Sequence, residues 1–383
     1  MKILVLNCGS SSVKYELIET DPALIEAHQD RSLGQGLIGD FSSYADAVGS
    51  AISSVVSNPA EIGAVGHRMV HGGERFSGAV LMDDSIAREI ESFNELAPLH
   101  NPPNLAGYRA ARAILPHCPQ VAVFDTAFHQ TMPAHAYLYA IPEELSRRHR
   151  VRRFGFHGTS HRYVTLRYAQ IHGCGPQAFK LITCHLGNGC SVSAVDGGRS
   201  VDTSMGFTPL EGLVMGTRGG DLDPGALLYL MEKEGLDVEH ASRLLNRQCG
   251  LRGLSGTSHD MREVLARSEQ GDARARLAVE VFCYRAKKYI GAYFAVLNGA
   301  DAIVFTGGIG ENAPAIRARV CESLGALGVR VDPAKNLQAC GIEMDVSEET
   351  ASTRVWVIPT HEELLIARET LGAVLSASPP EAR

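Results

Sequence analysis

Three short apolar runs in this sequence each lead straight into a glycine-rich turn. Ile3-Leu4-Val5-Leu6 runs into Asn7-Cys8-Gly9-Ser10, Leu181-Ile182-Thr183-Cys184 precedes Gly187-Asn188-Gly189, and Ala302-Ile303-Val304-Phe305 runs into Gly307-Gly308-Ile309-Gly310. Short apolar runs bounded by such turns read as buried strands. The first two are followed by further strand-like runs at 13–18 and 191–195, so each turn opens a hairpin rather than a crossover helix. This repeated opening has the look of an internal duplication, and it makes a single Rossmann unit the wrong template. Helical stretches lie between the runs at 83–95, 104–115, 224–234 and 272–297, the last with apolar residues at spacings of three and four. Strands and helices mixed in this order argue for α/β domains with partly parallel sheets covered by helices.

The chain has 383 residues, more than one hydrophobic core usually holds, so two domains with a cleft between them are expected. A formal charge of -7 argues against nucleic acid as a partner, and any anion must be held locally. The nine cysteines are scattered without Cys-x-x-Cys pairs or zinc-like spacing, which reads as reduced intracellular thiols. The N-terminal apolar run is too short for a signal peptide, and no run of 18 or more apolar residues occurs, so a cytoplasmic protein without a membrane partner is expected. Residues 376–383 read as a frayed tail.

Several segments carry chemistry-bearing residues. Asn7-Cys8-Gly9-Ser10-Ser11-Ser12-Val13-Lys14 gathers backbone N–H groups, three hydroxyls and a lysine that suit a phosphate or its metal; an exposed serine-rich hairpin fits the same residues. His185-Leu186-Gly187-Asn188-Gly189 and Gly307-Gly308-Ile309-Gly310-Glu311-Asn312 allow close backbone approach to phosphate or ribose, or are simply tight turns. Arg68 follows the apolar run 62–65, so it falls at a strand end, where its fork can grip a carboxylate or phosphate. Arg218 lies in the glycine-flanked loop Met215-Gly216-Thr217-Arg218-Gly219-Gly220-Asp221, read as flexible; a surface ion pair is the plainer fate of either arginine. Asp125 ends the run Val121-Ala122-Val123-Phe124, at the strand edge where α/β sites gather, or else caps a helix. His157, in Phe154-Gly155-Phe156-His157-Gly158-Thr159-Ser160-His161, is equally a catalytic or a buried structural histidine. Glu362 and Glu363 open a helix, where dipole stabilisation competes with metal ligation.

Taken together, these motifs resemble the acetate kinase family from Asn7 to Glu362, and through it the superfamily of acetate and sugar kinases, Hsp70 chaperones and actin. The resemblance implies an α/β fold of two domains with duplicated actin/Hsp70-like topology, an active-site cleft between them, and a homodimer. The implied domains are residues 1–131 with 364–383, and 132–363. It implies ATP-dependent, magnesium-dependent phosphorylation of acetate, with manganese as a substitute metal, and with propionate as the alternative acid. Asn7 and Glu362 would be metal-site residues, Asp125, His157 and Arg218 catalytic, and Arg68 the ligand of the acyl carboxylate. Val70, Leu99, Phe156 and Pro209 would line the acyl pocket. Lys14, His185, Leu186, Gly187, Asn188, Gly189, Asp260, Met261, Arg262, Gly308, Ile309, Gly310, Glu311 and Asn312 would hold the nucleotide. The chain departs from the family pattern at His361, where Asn is expected, at His259, where Ser is expected, and in a short segment between Ile18 and Ile62. An apolar pocket with one anion ligand favours a short fatty acid over the sugar of a sugar kinase, and no added client-binding domain supports a chaperone-like ATP switch.

Overall fold

In the computed structural model, which describes residues 1–377, Ile3 and Val5 of strand β1 (Lys2–Cys8) enter one core while Leu4 and Leu6 enter another. All four are buried, so β1 is a strand covered on both faces, as its unbroken apolar run requires. Leu4 and Leu6 pack with Ala47, Val48, Ala51 and Ile52 of the helix Tyr44–Val55 and with Ala110 and Ala111 of the helix Asn101–Ile114. Ile3 and Val5 pack with Ile366, Ala367 and Leu371 of the helix Glu362–Ala377.

The chain divides into two units, Met1–Gln130 with the segment from His361 onward, and Thr131–Thr360. The first contains β1, β2 (Ser12–Glu19), β3 (Arg31–Gly39), β4 (Ala64–Met69), β5 (Val80–Leu81) and β6 (Gln120–Phe124) in the order β3-β2-β1-β4-β6-β5. The second contains β7 (Lys180–Leu186), β8 (Cys190–Asp196), β9 (Arg199–Thr203), β10 (Ala302–Thr306), β11 (Met344–Asp345) and β12 (Arg354–Val357) in the order β11-β12-β10-β7-β8-β9. Read from the opposite edge, the second order repeats the first strand for strand. In each sheet the opening hairpin and its third strand are antiparallel, the next two pairings are parallel, and the short edge strand is antiparallel. Even the irregularity recurs, with register shifts at Leu17/Ile18 in β2 and Ala194/Val195 in β8. The duplication suggested by two glycine-turn hairpins is thus a duplication of whole sheets.

The helical stretches appear with adjusted ends. The stretch at 224–234 is the helix Pro224–Glu234, begun by Asp223, whose carboxylate accepts from Gly225 N, and ended by Gly235 in a left-handed conformation. The stretch at 272–297 is the helix Ala273–Leu297, capped by Asp272. The stretch at 83–95 stops at Glu91, because the backbone tightens to i−3 bonds at Phe93 and Asn94 as Phe93 turns into the core. The stretch at 104–115 starts earlier, at Asn101, since Pro102 and Pro103 occupy the first turn, where no N–H is required. Ser376 and Ala377 belong to the final helix rather than to a frayed tail, and the rest of that stretch, 378–383, lies outside the described residues. All nine cysteines are free thiols.

Candidate active site

In the first unit, adjacent parallel strands β1, β4 and β6 bring Asn7, Arg68 and Asp125 together at their carboxyl ends. Arg68 Nε and Nη2 donate to Asp125 Oδ1 and Oδ2 at 3.1 and 2.6 Å, a two-point bridge with side chains 21% and 2% exposed. The same guanidinium lies 3.4 Å from Asn7 Oδ1 and 3.7 Å from Glu362 Oε2. Neither a surface ion pair nor a helix cap describes this cluster. Burial alone would weaken the guanidinium's hold on its proton, and the carboxylates of Asp125 and Glu362 more than reverse it, so its pKa is raised.

The segment after Arg68 is fixed by the first turn of the helix Asn101–Ile114. Asn104 accepts from Val70 N at 3.1 Å and donates to Cys8 O at 2.7 Å, while Asn101 exchanges two bonds with the His71 backbone. Val70 is buried at this point, whereas Leu99, the other acyl-pocket candidate of this unit, is 57% exposed. Lys14, expected near the nucleotide, rests its ammonium 2.6 Å from Glu363 Oε1 and shares no unit with the other nucleotide candidates. Glu16 meets His361 Nε2 at 3.0 Å, and the ligand atoms of Glu16, His361 and Glu363 lie within 4.8 Å of one another. Lys14 and, when protonated, His361 offset these two carboxylates, so the group is an ion-pair quartet built around the departure at position 361. The amide oxygen of Asn7 and the carboxylate of Glu362 form an oxygen-only donor set, the chemistry that magnesium prefers.

In the second unit, His157 adopts a left-handed backbone, φ 58°, between Phe156 and the helix Gly158–Ile171. Its Nδ1 meets Ser191 Oγ at 2.9 Å, and its ring stacks on His185 at 4.2 Å. A Cβ at Gly189 would come within 2.8 Å of Arg218 Nη2 and 3.1 Å of His157 Nε2, so both groups converge on this turn. The turn docks on the 215–218 loop through Gly216 N donating to Asn188 O, and Met215 N donates to Arg218 O. That loop, read from sequence as flexible, is therefore pinned on both sides. Arg218 Nη1 donates to Pro209 O at 2.7 Å, and among the described residues no carboxylate pairs with it. Burial accordingly pulls its pKa down, the reverse of Arg68. Two residues after Pro209, Glu211 pairs with Arg153 at 2.7 Å, and Arg153 also donates to the carbonyls of Thr203, Ser204 and Met205.

The other nucleotide candidates use backbone and side chain differently. Leu186 and Met261 are buried, leaving only their backbones for a ligand, and the acyl-pocket candidate Phe156, next to His157 in the chain, is buried too. Asp260 caps the helix Met261–Glu269 and holds the exposed Arg262. Glu311 turns its carboxylate inward, accepting from Gly307 N at 2.8 Å and Thr360 N at 3.1 Å, while Asn312 donates to Gly308 O. Gly307 has φ 76°, and a Cβ there would meet Leu186 O at 2.8 Å, whereas Gly308 faces open space. Beneath this turn the buried Arg317 donates to the carbonyls of Gly310, Glu311, Asn336 and Ala339. Sequence reading missed Arg317, Ser191 and His161; the last could have been found four residues after His157, on the same face of a helix.

Residues 2–368 match the acetokinase family. The chain belongs to that family. It is 50% identical to the acetate kinase of Natranaerobius thermophilus, over 97% of this chain and 99% of that protein. Its structure matches that of Porphyromonas gingivalis acetate kinase with a TM-score of 0.92 and 43% identity, over 97% of this chain and 99% of the other. A propionate kinase from Francisella tularensis matches over the same shares, with a TM-score of 0.90 and 43% identity. This member of the acetokinase family is an ATP-dependent carboxylate kinase with two duplicated actin/Hsp70-like sheets.

Proposed function

We propose that the protein reversibly transfers the γ-phosphoryl group of ATP to acetate, giving acetyl phosphate and ADP by direct in-line displacement. The observation that carries this reading is Arg218, a partly buried guanidinium with no carboxylate partner among the described residues, converging with His157 on the Gly187–Gly189 turn. Such a cation suits a phosphoryl group whose charge is spread over its equatorial oxygens.

Acetate is already ionised at neutral pH, so attack on phosphorus needs positioning and charge neutralisation more than a base. Arg68 holds the acyl carboxylate, and Val70, Leu99, Phe156 and Pro209 contact its methyl group. Arg218 offsets charge on the transferred group, and His157 donates a hydrogen bond to it. Asn7 and Glu362 would hold magnesium, which would supply neutralisation of nucleotide phosphate charge. Asp125, already bridged to Arg68, fixes that guanidinium and orients water around the metal site rather than removing a proton. The backbones of His185 to Gly189 and of Gly308 to Asn312, with Asp260 to Arg262, hold the nucleotide, and Lys14 reaches its phosphates on leaving Glu363.

A second reading within the family, propionate as the preferred acid, is favoured by the propionate kinase neighbour. One methylene in an apolar pocket is worth only about 1 to 3 kcal/mol, so it is decided by assay. Magnesium, ATP and the purified protein are incubated with acetate, propionate, butyrate or no acid, and acyl phosphate is trapped with hydroxylamine. Signal strongest with acetate supports the reading, signal strongest with propionate transfers it to the second, and none above the blank refutes both.

The protein acts as a homodimer in the cytoplasm. Among the described residues no helix is long and apolar enough to cross a membrane. The helix Pro224–Glu234 buries none of its side chains, leaving Leu228 68% and Tyr229 60% exposed, a face that a second copy would cover. Light scattering giving a dimer mass, reduced to the monomer by Leu228→Asp, supports this; a monomeric wild type refutes it.

A further inference from the structure

β7 and β8 carry a polar stripe on one face of an otherwise apolar hairpin. His185 lies opposite Ser191, Thr183 lies opposite Ser193, and the alternation of strand side chains puts all four on the same side. The helix Gly158–Ile171 packs on β7 and lowers His161 onto this stripe. His161 Nδ1 meets Thr183 Oγ1 at 2.7 Å, His161 Nε2 meets Ser191 Oγ at 2.7 Å, and Ser191 Oγ meets His157 Nδ1 at 2.9 Å. Thr183, His161 and Ser191 are fully buried.

Protons in this chain can be counted. Among the described residues the Thr183 hydroxyl has one side-chain partner, His161 Nδ1, so its hydrogen must go there. His161 then donates from Nε2 to Ser191, and Ser191 spends its own hydrogen on His157 Nδ1. The reverse order would leave the Thr183 hydrogen buried without an acceptor. A neutral His157 accepting at Nδ1 carries its hydrogen on Nε2, the atom that faces Gly189 beside Arg218. The neighbouring imidazole repeats the device, since the buried Ser160 hydroxyl meets His185 Nδ1 at 2.7 Å and His185 Nε2 faces the turn at Gly187.

We infer that Thr183, His161 and Ser191 form a directional hydrogen-bond relay that locks His157 in the Nε2–H tautomer, so that it donates to the phosphoryl group without being protonated. These are positioning residues, and their part in the reaction rests on the reading of His157 as the group that contacts phosphate.

The test uses the full-length protein labelled with 15N-histidine, with His157 assigned by its loss in His157→Gln. Two-bond nitrogen–proton correlations at alkaline pH give the Nε2–H pattern for His157 if the relay exists, and the Nδ1–H pattern overturns it. Ser191→Ala mixes the tautomers and lowers kcat on the order of ten- to a hundred-fold with KM nearly unchanged, while Ser191→Thr restores both. Unchanged tautomer and kcat in Ser191→Ala also overturn the relay. If that variant does not fold, the wild-type spectrum alone decides. Full turnover in His157→Gln removes His157 from the reaction while the tautomer result stands, so the two failures are separable.

Discussion

Arg68 and Arg218 carry the same group into opposite surroundings. The first is enclosed by Asp125 and Glu362, and its proton is held more tightly; the second has a carbonyl as its side-chain partner, and burial works against its charge. A partly buried guanidinium with no carboxylate to balance its charge is costly to the apo protein, which is sensible if an anion completes it. Arg218→Ala is expected to lower kcat on the order of a thousand-fold or more, by analogy with arginine fingers, with the thermal midpoint kept or raised. Retained turnover in a steady-state assay of that variant would remove Arg218 from the phosphoryl site. Gly189 tests the same convergence from the backbone side. A methyl group there meets Arg218 Nη2 at 2.8 Å and His157 Nε2 at 3.1 Å, so Gly189→Ala should cut kcat on the order of ten- to a hundred-fold while circular dichroism stays native.

At the scale of elements, the Gly307–Asn312 turn shows what its sequence displays and what it hides. Its glycines are visible, and Gly307 needs a positive φ; the support beneath comes from Arg317, whose carbonyl partners span Gly310 to Ala339. Arg317→Ala would strand four carbonyls, three of them in buried bonds, at about 1 to 3 kcal/mol for each buried one left unsatisfied. The expected result, measured by denaturant titration and ATP saturation, is a lower unfolding midpoint with a raised KM for ATP and a smaller effect on acetate. The two opening hairpins and β10 were legible because buried strands write continuous apolar runs next to glycine. β3 was not, since Arg31–Gly39 is an edge strand holding three glycines and no buried residue. The family motifs led to the Arg68–Asp125 and His157–Arg218 groupings, but the engagement of Lys14 by Glu363 joins residues 349 positions apart, which local spacing cannot reveal. Ser191 escaped for the same reason, as its bonds run from a strand to His157 and His161 at the start of a helix.

Across the whole molecule, the balance of charge with pH is set in part by histidines that the first unit buries as neutral groups. His67, whose Nε2 lies 2.7 Å from Gln120 Oε1, has its pKa pushed down to about 4 by burial, and burial likewise holds His71 at about 4. Both folded values lie below the unfolded value of about 6.5, so the unfolded chain binds more protons in this window. Their contribution is therefore complete above pH 6.5 and is lost as pH falls toward 4. Each histidine should cost about 1.4 kcal/mol per pH unit while only its unfolded form titrates. Glu16 acts in the same direction further down: burial would raise its pKa, but the bonds from His361 and Ser32 prevail and lower it, so its contribution disappears as pH drops through the folded value. The single tryptophan, Trp356, belongs to the second unit and is blind to this, so the measurement is hydrogen exchange at β1 and β4, corrected for intrinsic rates. Protection there should fall between pH 6.5 and 4.5, and His67→Gln should remove one proton from the slope. An unchanged slope in that variant would mean that His67 does not stay neutral in the folded protein, and that the acid sensitivity of the first unit comes from His71 and its carboxylates.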